Sequence, residues 1–297
     1  MPSNVTDKRL EALPQATRER IAHIDFTLMF KGEAVRADLI ERFNIAPAQV
    51  TKDFTLYREI APQNIEYDAQ RRLHVRGTHF RSLFQYDSLR TLATLTQGFG
   101  DGFSGKGKIP FPFEAPHQLN QPNLSIIATL TEAIHKRKAV QIRYVSLSSG
   151  ETIREITPHT LVDSGLRWHL RAYDRSHQEF RDFVLTRVKQ CSLLADSQTE
   201  TAELLMNDEQ WNTFITLELI PHPNIKHQEA IALDYAMTDG VKGIQIRVAM
   251  AGYLLRLWNV DCSLVPSGDK AHQLALRNPH VFHSLMSIYP NLCLAPH

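Results

Sequence analysis

The chain has 297 residues, 43% of them hydrophobic and 22% charged, with a formal net charge of +1. That is longer than one typical domain and rich enough in apolar residues for packed cores, which excludes a disordered or fibrous chain and predicts two or three domains. The near-zero charge excludes a global polybasic field, so any nucleic-acid contact has to be a local patch.

Residues 1–80 read as three helices and a hairpin. Ile21, Ile24 and Leu28 recur at helical spacing over 18–30. Gly32, with no Cβ, can close that helix in the left-handed conformation. Residues 35–43 form a second short helix with Leu39, Ile40 and Phe43 on its apolar stripe. After a tight connection, Pro47 suits the first turn of a third helix, where its missing N–H was unsatisfied anyway. That helix ends before Pro62.

Val50, Phe54 and Tyr57 make the third helix's core-facing stripe. Ala48, Gln49, Thr51, Lys52, Thr55 and Arg58 lie outside it. They are small, polar or basic groups able to enter a major groove and meet base edges or phosphates. Residues 65–68 and 72–76 then read as a β-hairpin whose basic tip, Arg71 and Arg72, fits a DNA-contacting wing. A plain trihelical bundle with a solvated polar face has the same helix spacing; the basic hairpin favours DNA.

Residues 81–97 suggest another helix, and 98–122 are dense in Gly and Pro, which predicts a linker. Phe99, Phe103, Phe111 and Phe113 within it predict that it docks on a neighbouring surface. An amphipathic helix follows over 126–138, with Ile126, Ile127, Leu130, Ala133 and Ile134 inward. Short strands at 140–144, 152–158, 167–173 and 180–188 predict a small, strongly bent sheet or barrel. In the last third, Ile231, Leu233 and Tyr235 alternate over 230–235 and predict a strand. A second strand is expected at 244–249, a helix at 253–258 and a closing strand at 273–276. The fold class is α+β.

The strand at 167–173 is the most informative stretch. Period two puts Trp168, Leu170 and Ala172 on one face, and Arg167, His169, Arg171 and Tyr173 on the other. Arg181, Phe183, Leu185 and Arg187 share a face of the next strand, and His159 can sit at the rim. Such planar cationic and aromatic groups suit anionic, stackable ligands such as nucleotides. The same arginines can instead pair with Asp174, Glu179, Asp182 and Glu155, and the residues alone leave both readings open.

The runs Ile142-Arg143-Tyr144, Arg154 to His159, Trp168 to Asp174, and Phe180 to Phe183 with Arg187 resemble a WYL domain. His169 stands where that family's central Tyr is expected. Segment order and the residues around Trp168 are most similar to the BrxR/CapW-type repressors of phage-defence operons. The resemblance implies four segments. They are a winged helix-turn-helix at 1–80, a helix and linker at 81–122, a WYL domain built as an Sm-like β-barrel at 123–200, and a small α+β dimerisation extension at 201–297. It also implies a homodimer on double-stranded DNA with a palindromic operator, and a nucleotide-like or oligonucleotide effector. Tyr144, His159, His169, Arg171, Tyr173, Arg181, Phe183 and Arg187 are the candidate effector-binding residues.

Enzyme readings find little support. There is no H-E-x-x-H, G-x-S-x-G or Walker-type loop, so no cofactor or metal is expected. Cys191, Cys262 and Cys293 are far apart, form no C-x-x-C pair and read as small buried hydrophobes. A nuclease or nucleotide-cleaving enzyme using His159, His169 and the arginine-rich face is the alternative, and a DNA-independent adaptor is another. No window approaches the ~18 apolar residues of a membrane span. The charged first thirty residues lack a secretory apolar region, so a cytoplasmic location is expected.

Overall fold

The computed structural model describes residues 9–97, 120–194 and 196–289. They form two compact units. The first holds the described residues of Met1–Pro158 together with Leu185–Gln198, and the second holds His159–Val184 with those of Thr199–His297. The phenylalanines of the glycine- and proline-rich linker lie outside the described residues, as does Cys293. Of the other cysteines, Cys262 is buried and Cys191 half-buried.

The first unit opens with α1 (Gln15–Lys31), β1 (Glu33–Ala34), α2 (Arg36–Phe43), α3 (Pro47–Ile60), β2 (Ile65–Asp68) and β3 (Leu73–Arg76). Gly32 ends α1 at φ 73°, and Pro47 occupies the first turn of α3 as its missing N–H predicts. β3 is the centre of a three-stranded antiparallel sheet, pairing Glu33 with Val75 on one side and Ile65 with Arg76 on the other. Ile21, Ile24, Leu28, Leu39, Val50, Phe54 and Tyr57 build one core.

A buried carboxylate ties this core together. Tyr57 Oη donates to Asp25 Oδ1 at 2.6 Å, while Ser82 Oγ and Tyr86 Oη donate to Oδ2 at 2.7 and 3.0 Å. Burial pushes the Asp25 pKa up against these donors. The aspartate therefore fastens α1 to α3 and to the segment that leads into α4 (Ser88–Gln97).

α5 (Leu124–Lys136) packs on α1, and Thr131 Oγ1 donates to the Phe30 carbonyl at 2.8 Å. Asn123 caps its start by accepting from the Ser125 N–H at 2.8 Å. β4 (Val140–Ser146) and β5 (Gly150–Asp163) stand where strands were expected, while β8 (Val188–Leu193) was not foreseen. β5 runs on past Pro158 into the second unit, where β6 (Trp168–Asp174) and β7 (Glu179–Val184) lie.

Strand order is β7-β6-β5-β4-β8. Among the described residues no pairing joins β7 to β8, so the sheet is open where a closed Sm-like barrel was expected. The strand predicted through 188 breaks at Val184, because Leu185–Arg187 turn as a 3-10 helix.

The remainder of the second unit contains α6 (Glu209–Asn212), β9 (Phe214–Pro221), α7 (Gln228–Asp234), β10 (Lys242–Arg247), α8 (Val248–Leu257), β11 (Val260–Asp261), β12 (Leu274–Leu276) and α9 (Pro279–Ile288). A β10-β9-β12-β11 sheet covers a core of Leu217, Leu219, Val248, Leu255, Val260, Leu274, Phe282 and Leu285. The strand predicted at 230–235 is instead the helix α7. Of its apolar residues Ile231 is buried, but Leu233 is 81% exposed, so the alternation did not mark a sheet face.

Candidate functional site

The α3 face and the wing are built from the first unit. Val50, Phe54 and Tyr57 are buried, which turns Ala48, Thr51, Lys52, Thr55 and Arg58 outward, all exposed. Gln49 is half-buried and its amide donates to Asp53 Oδ1 at 2.9 Å. Asp53 in turn holds Arg20 through both oxygens, at 2.7 and 3.1 Å, a buried bidentate pair between α1 and α3. Gln49 is thus tied to the scaffold through Asp53.

Sequence reasoning passed over Arg36. From the start of α2 its guanidinium donates to Thr51 Oγ1 at 2.6 Å and to the Pro47 carbonyl at 3.1 Å, which adds an exposed cation beside α3. The only signal for it was an arginine opening the second helix.

His74 of β3 joins this face to the wing. Its ring lies 4.0 Å from Phe54 and 5.2 Å from Tyr67. Burial, reinforced by the charges of Arg58 and Arg36, lowers its pKa to about 4, so it is neutral at pH 7. At the wing tip Arg72 is exposed with φ 56°. Arg71 donates to Glu33 Oε2 at 2.7 Å, and Glu33 Oε1 lies 3.0 Å from His135 Nε2 on α5. Arg76 donates to Glu132 of the same helix, a carboxylate that also receives Lys136 at 2.7 Å.

The candidate effector residues divide between the units. Tyr144 and Arg187 belong to the first, where Tyr144 is buried in the sheet and Arg187 sits half-buried in the 3-10 turn. The other six belong to the second. There β6 is buried on both faces, which corrects the expectation of one open polar face. Phe183 is a core residue, and His169 packs against Tyr253 with ring centroids 4.6 Å apart.

Carboxylates occupy Arg171. Its Nε and Nη2 donate to the two oxygens of Asp208 at 2.7 and 2.9 Å, and Nη1 reaches Asp182 at 3.4 Å. His159 Nε2 meets the same Asp208 at 3.1 Å, and Tyr253 Oη donates to Asp182 at 3.0 Å. Burial works against charge on Asp208, but His159 and Arg171 overcome it and bring its pKa down to about 2. For Asp182 burial wins and the pKa rises, since the bidentate geometry gives Arg171 mainly to Asp208. Arg181 is paired with Glu179. The Asp182 and Glu179 pairings were open on the sequence; Asp208 was not in view.

A cavity of about 590 Å³ is lined by Arg171 and Asp208 of this buried chain. Tyr173, Phe180 and Tyr289 supply aromatic wall, and Gln178, Gln210 and Asn207 supply amides. Tyr173 and Phe180 meet edge to face with centroids 5.2 Å apart.

A histidine of the C-terminal third, His222, is structural. It is buried between Asp261 Oδ2 at 3.1 Å and the Asn224 N–H, which donates to its Nδ1 at 3.2 Å. Among the described residues no group of three His, Cys, Asp or Glu is placed to hold a metal ion, and no helix is long and apolar enough to cross a membrane.

Comparison with known proteins covers all of these segments. The BrxR transcriptional regulator winged helix-turn-helix domain matches residues 16–97, the WYL domain 125–193, and the BrxR transcriptional regulator C-terminal dimerization domain 214–282. A protein of Escherichia coli (strain KTE188) named DNA-binding transcriptional repressor CapW is 31% identical over 278 residues, 90% of this chain and 91% of that one. Proteins of the same name from Pseudomonas aeruginosa and Stenotrophomonas maltophilia are 29% and 31% identical, over 92% and 86% of this chain and 93% and 86% of their own. Similarity at that level, end to end, places the helix-turn-helix, the sheet and the C-terminal unit in one inheritance: the chain belongs to the BrxR/CapW family of WYL-domain transcriptional regulators.

Proposed function

We propose that the protein is a homodimeric, DNA-binding transcriptional repressor of a phage-defence operon. α3 enters the major groove of a palindromic operator and the β2–β3 wing touches flanking backbone. The observation that carries this reading is the division of α3. Its apolar stripe is buried while Ala48, Thr51, Lys52, Thr55 and Arg58 stay exposed beside Arg36 and a wing bearing Arg71 and Arg72. Domain limits of 1–80, 81–122, 123–200 and 201–297 fit this division of labour, with the last segment supplying the dimer contact. A catalytic role is not part of the reading, because the histidines it would need, His159 and His169, are packed among carboxylate and aromatic partners.

The effector is proposed to enter the cavity bounded by Tyr173, Phe180 and Tyr289, where rings offer stacking and amides offer base-edge hydrogen bonds. Arg171 could meet a phosphate there only by giving up part of its hold on Asp208. A nucleotide or oligonucleotide therefore gains more from stacking than from charge.

The test is fluorescence anisotropy of the full chain on inverted-repeat duplexes selected from a random library. Affinity is expected to fall steeply with salt, and Lys52→Ala and Arg58→Ala are each expected to flatten the log–log salt slope by about one. Selection of no duplex, or slopes unchanged in both variants, would refute the reading.

A further inference from the structure

Two threonines on the outward face of α3 have already used their hydroxyl protons. Thr51 Oγ1 donates to the Pro47 carbonyl at 3.1 Å, and Thr55 Oγ1 donates to the Thr51 carbonyl at 2.9 Å. A hydroxyl has one proton, so neither side chain can donate to guanine O6 or N7, adenine N7 or thymine O4. Thr51 is held further, because Arg36 fills one of its oxygen's acceptor positions at 2.6 Å. Bonding of a helical threonine to the carbonyl four residues back fixes its rotamer; its oxygen can still accept from adenine N6 or cytosine N4, but against thymine, which presents only an acceptor and a methyl, the γ-methyl is the group able to make contact. Ala48 offers a methyl and nothing else. Positions 48, 51 and 55 share one helix face, and their residues line one shallow surface depression with Lys52, Leu56 and Glu59.

The middle of the recognition face is therefore a strip of methyl groups flanked by cations. In the major groove the base feature that matches a methyl is the C5-methyl of thymine. We infer that the Ala48, Thr51 and Thr55 face selects thymines in the operator half-site through methyl–methyl contact, with hydrogen-bonded base readout left to neighbouring residues. The inference rests on the DNA-binding reading above and deepens it.

The experiment uses the full-length protein and a duplex selected from a random-sequence library, resynthesised with single thymines replaced by deoxyuridine, which removes only the methyl. At one or two half-site positions the deoxyuridine duplex is expected to bind about fourfold more weakly, the value of one buried methyl group. Thr51→Ser or Thr55→Ser, which delete the protein methyl and keep the hydroxyl, are expected to bring that thymine-to-deoxyuridine ratio to one. Thr51→Val or Thr55→Val, which keep the methyl, are expected to preserve it. Ratios of one at every position in the wild-type protein, or a ratio lost in Val variants and kept in Ser variants, would overturn the methyl reading while leaving DNA binding intact. Failure to select any duplex would remove the DNA reading, and this inference with it.

Discussion

Replacing Arg171 with methionine isolates the energetics of the second unit's buried polar chain. The side-chain volume is nearly kept, but Asp208 loses a bidentate partner at 2.7 and 2.9 Å and Asp182 loses the guanidinium that reaches it at 3.4 Å. Asp208 is held at about 2 against an ordinary 3.8. A folded-state pKa below the unfolded one gives stability that is present above pH 4 and disappears as pH falls through about 2. For Asp208 this is worth about 2 kcal/mol at neutral pH, at about 1.4 kcal/mol per pKa unit. Stranding a buried partner typically costs about 3–5 kcal/mol, so Arg171→Met is expected to fall in that range at pH 7.

All three tryptophans, Trp168, Trp211 and Trp258, lie in this unit, so denaturant unfolding followed by tryptophan fluorescence reports on it directly. Asp208→Asn added to Arg171→Met is expected to restore part of the loss, since Asn can still cap the Trp211 N–H that Asp208 accepts at 3.1 Å. A single variant costing under about 1 kcal/mol, or a double variant no more stable than the single, would refute the assignment of Arg171 as counter-charge.

Gly32→Ala should destabilise the first unit by about 1–2 kcal/mol in urea unfolding followed by circular dichroism. The new Cβ would sit at φ 73° and 2.6 Å from Glu132 Oε1, a carboxylate pinned by Arg76 and Lys136; an unchanged midpoint would contradict this. His74 is expected to titrate near pH 4 in an imidazole NMR titration, as is His23, which burial and the charges of Arg42 and Lys31 also bring to about 4. Both folded pKa values lie below the unfolded 6.5, so the stability these residues give is complete above pH 6.5 and drains away towards pH 4. A His74 midpoint near 6.5 would show that its ring is not packed between Phe54 and Tyr67.

What the sequence disclosed depended on how local the cause was. α1, α3 and the hairpin were legible because helix spacing, Gly32 and Pro47 act within a turn or two of themselves. β9 carried a period-two signal of its own, with Leu217 and Leu219 buried, and α9 begins at an Asn278-Pro279 start; neither was picked out. α7 misled because Ile231, Leu233 and Tyr235 alternate by chance on a mostly exposed helix. The polar residues of β6 were located correctly but given the wrong surroundings. Their burial is made by Asp208 and Tyr253, which lie 37 and 84 residues away from Arg171 and His169, and no local pattern announces partners at that distance.

The same long reach governs the wing. Its register comes from the hairpin, but its placement comes from α5, the helix with which the WYL match begins. Glu132, nearly buried, holds Arg76 of β3 together with Lys136, and Glu33 is shared by Arg71 of the wing and His135 of α5. Burial works against the charge on Glu33, and His135 and Arg71 together hold its pKa below the ordinary glutamate value. Neither carboxylate can give up its cation without being left charged in a poorly hydrated site, which makes separation of wing and α5 costly. Thr131 adds a hydrogen bond to the Phe30 carbonyl, one residue from the end of α1. A displacement of α5 therefore has to carry β3 with it or break both ion-pair nodes, and in either case the position of Arg71 and Arg72 changes. The wing and the first helix of the WYL segment are tied at both ion-pair nodes, so the placement of the wing is set in part by residues more than fifty positions downstream of it.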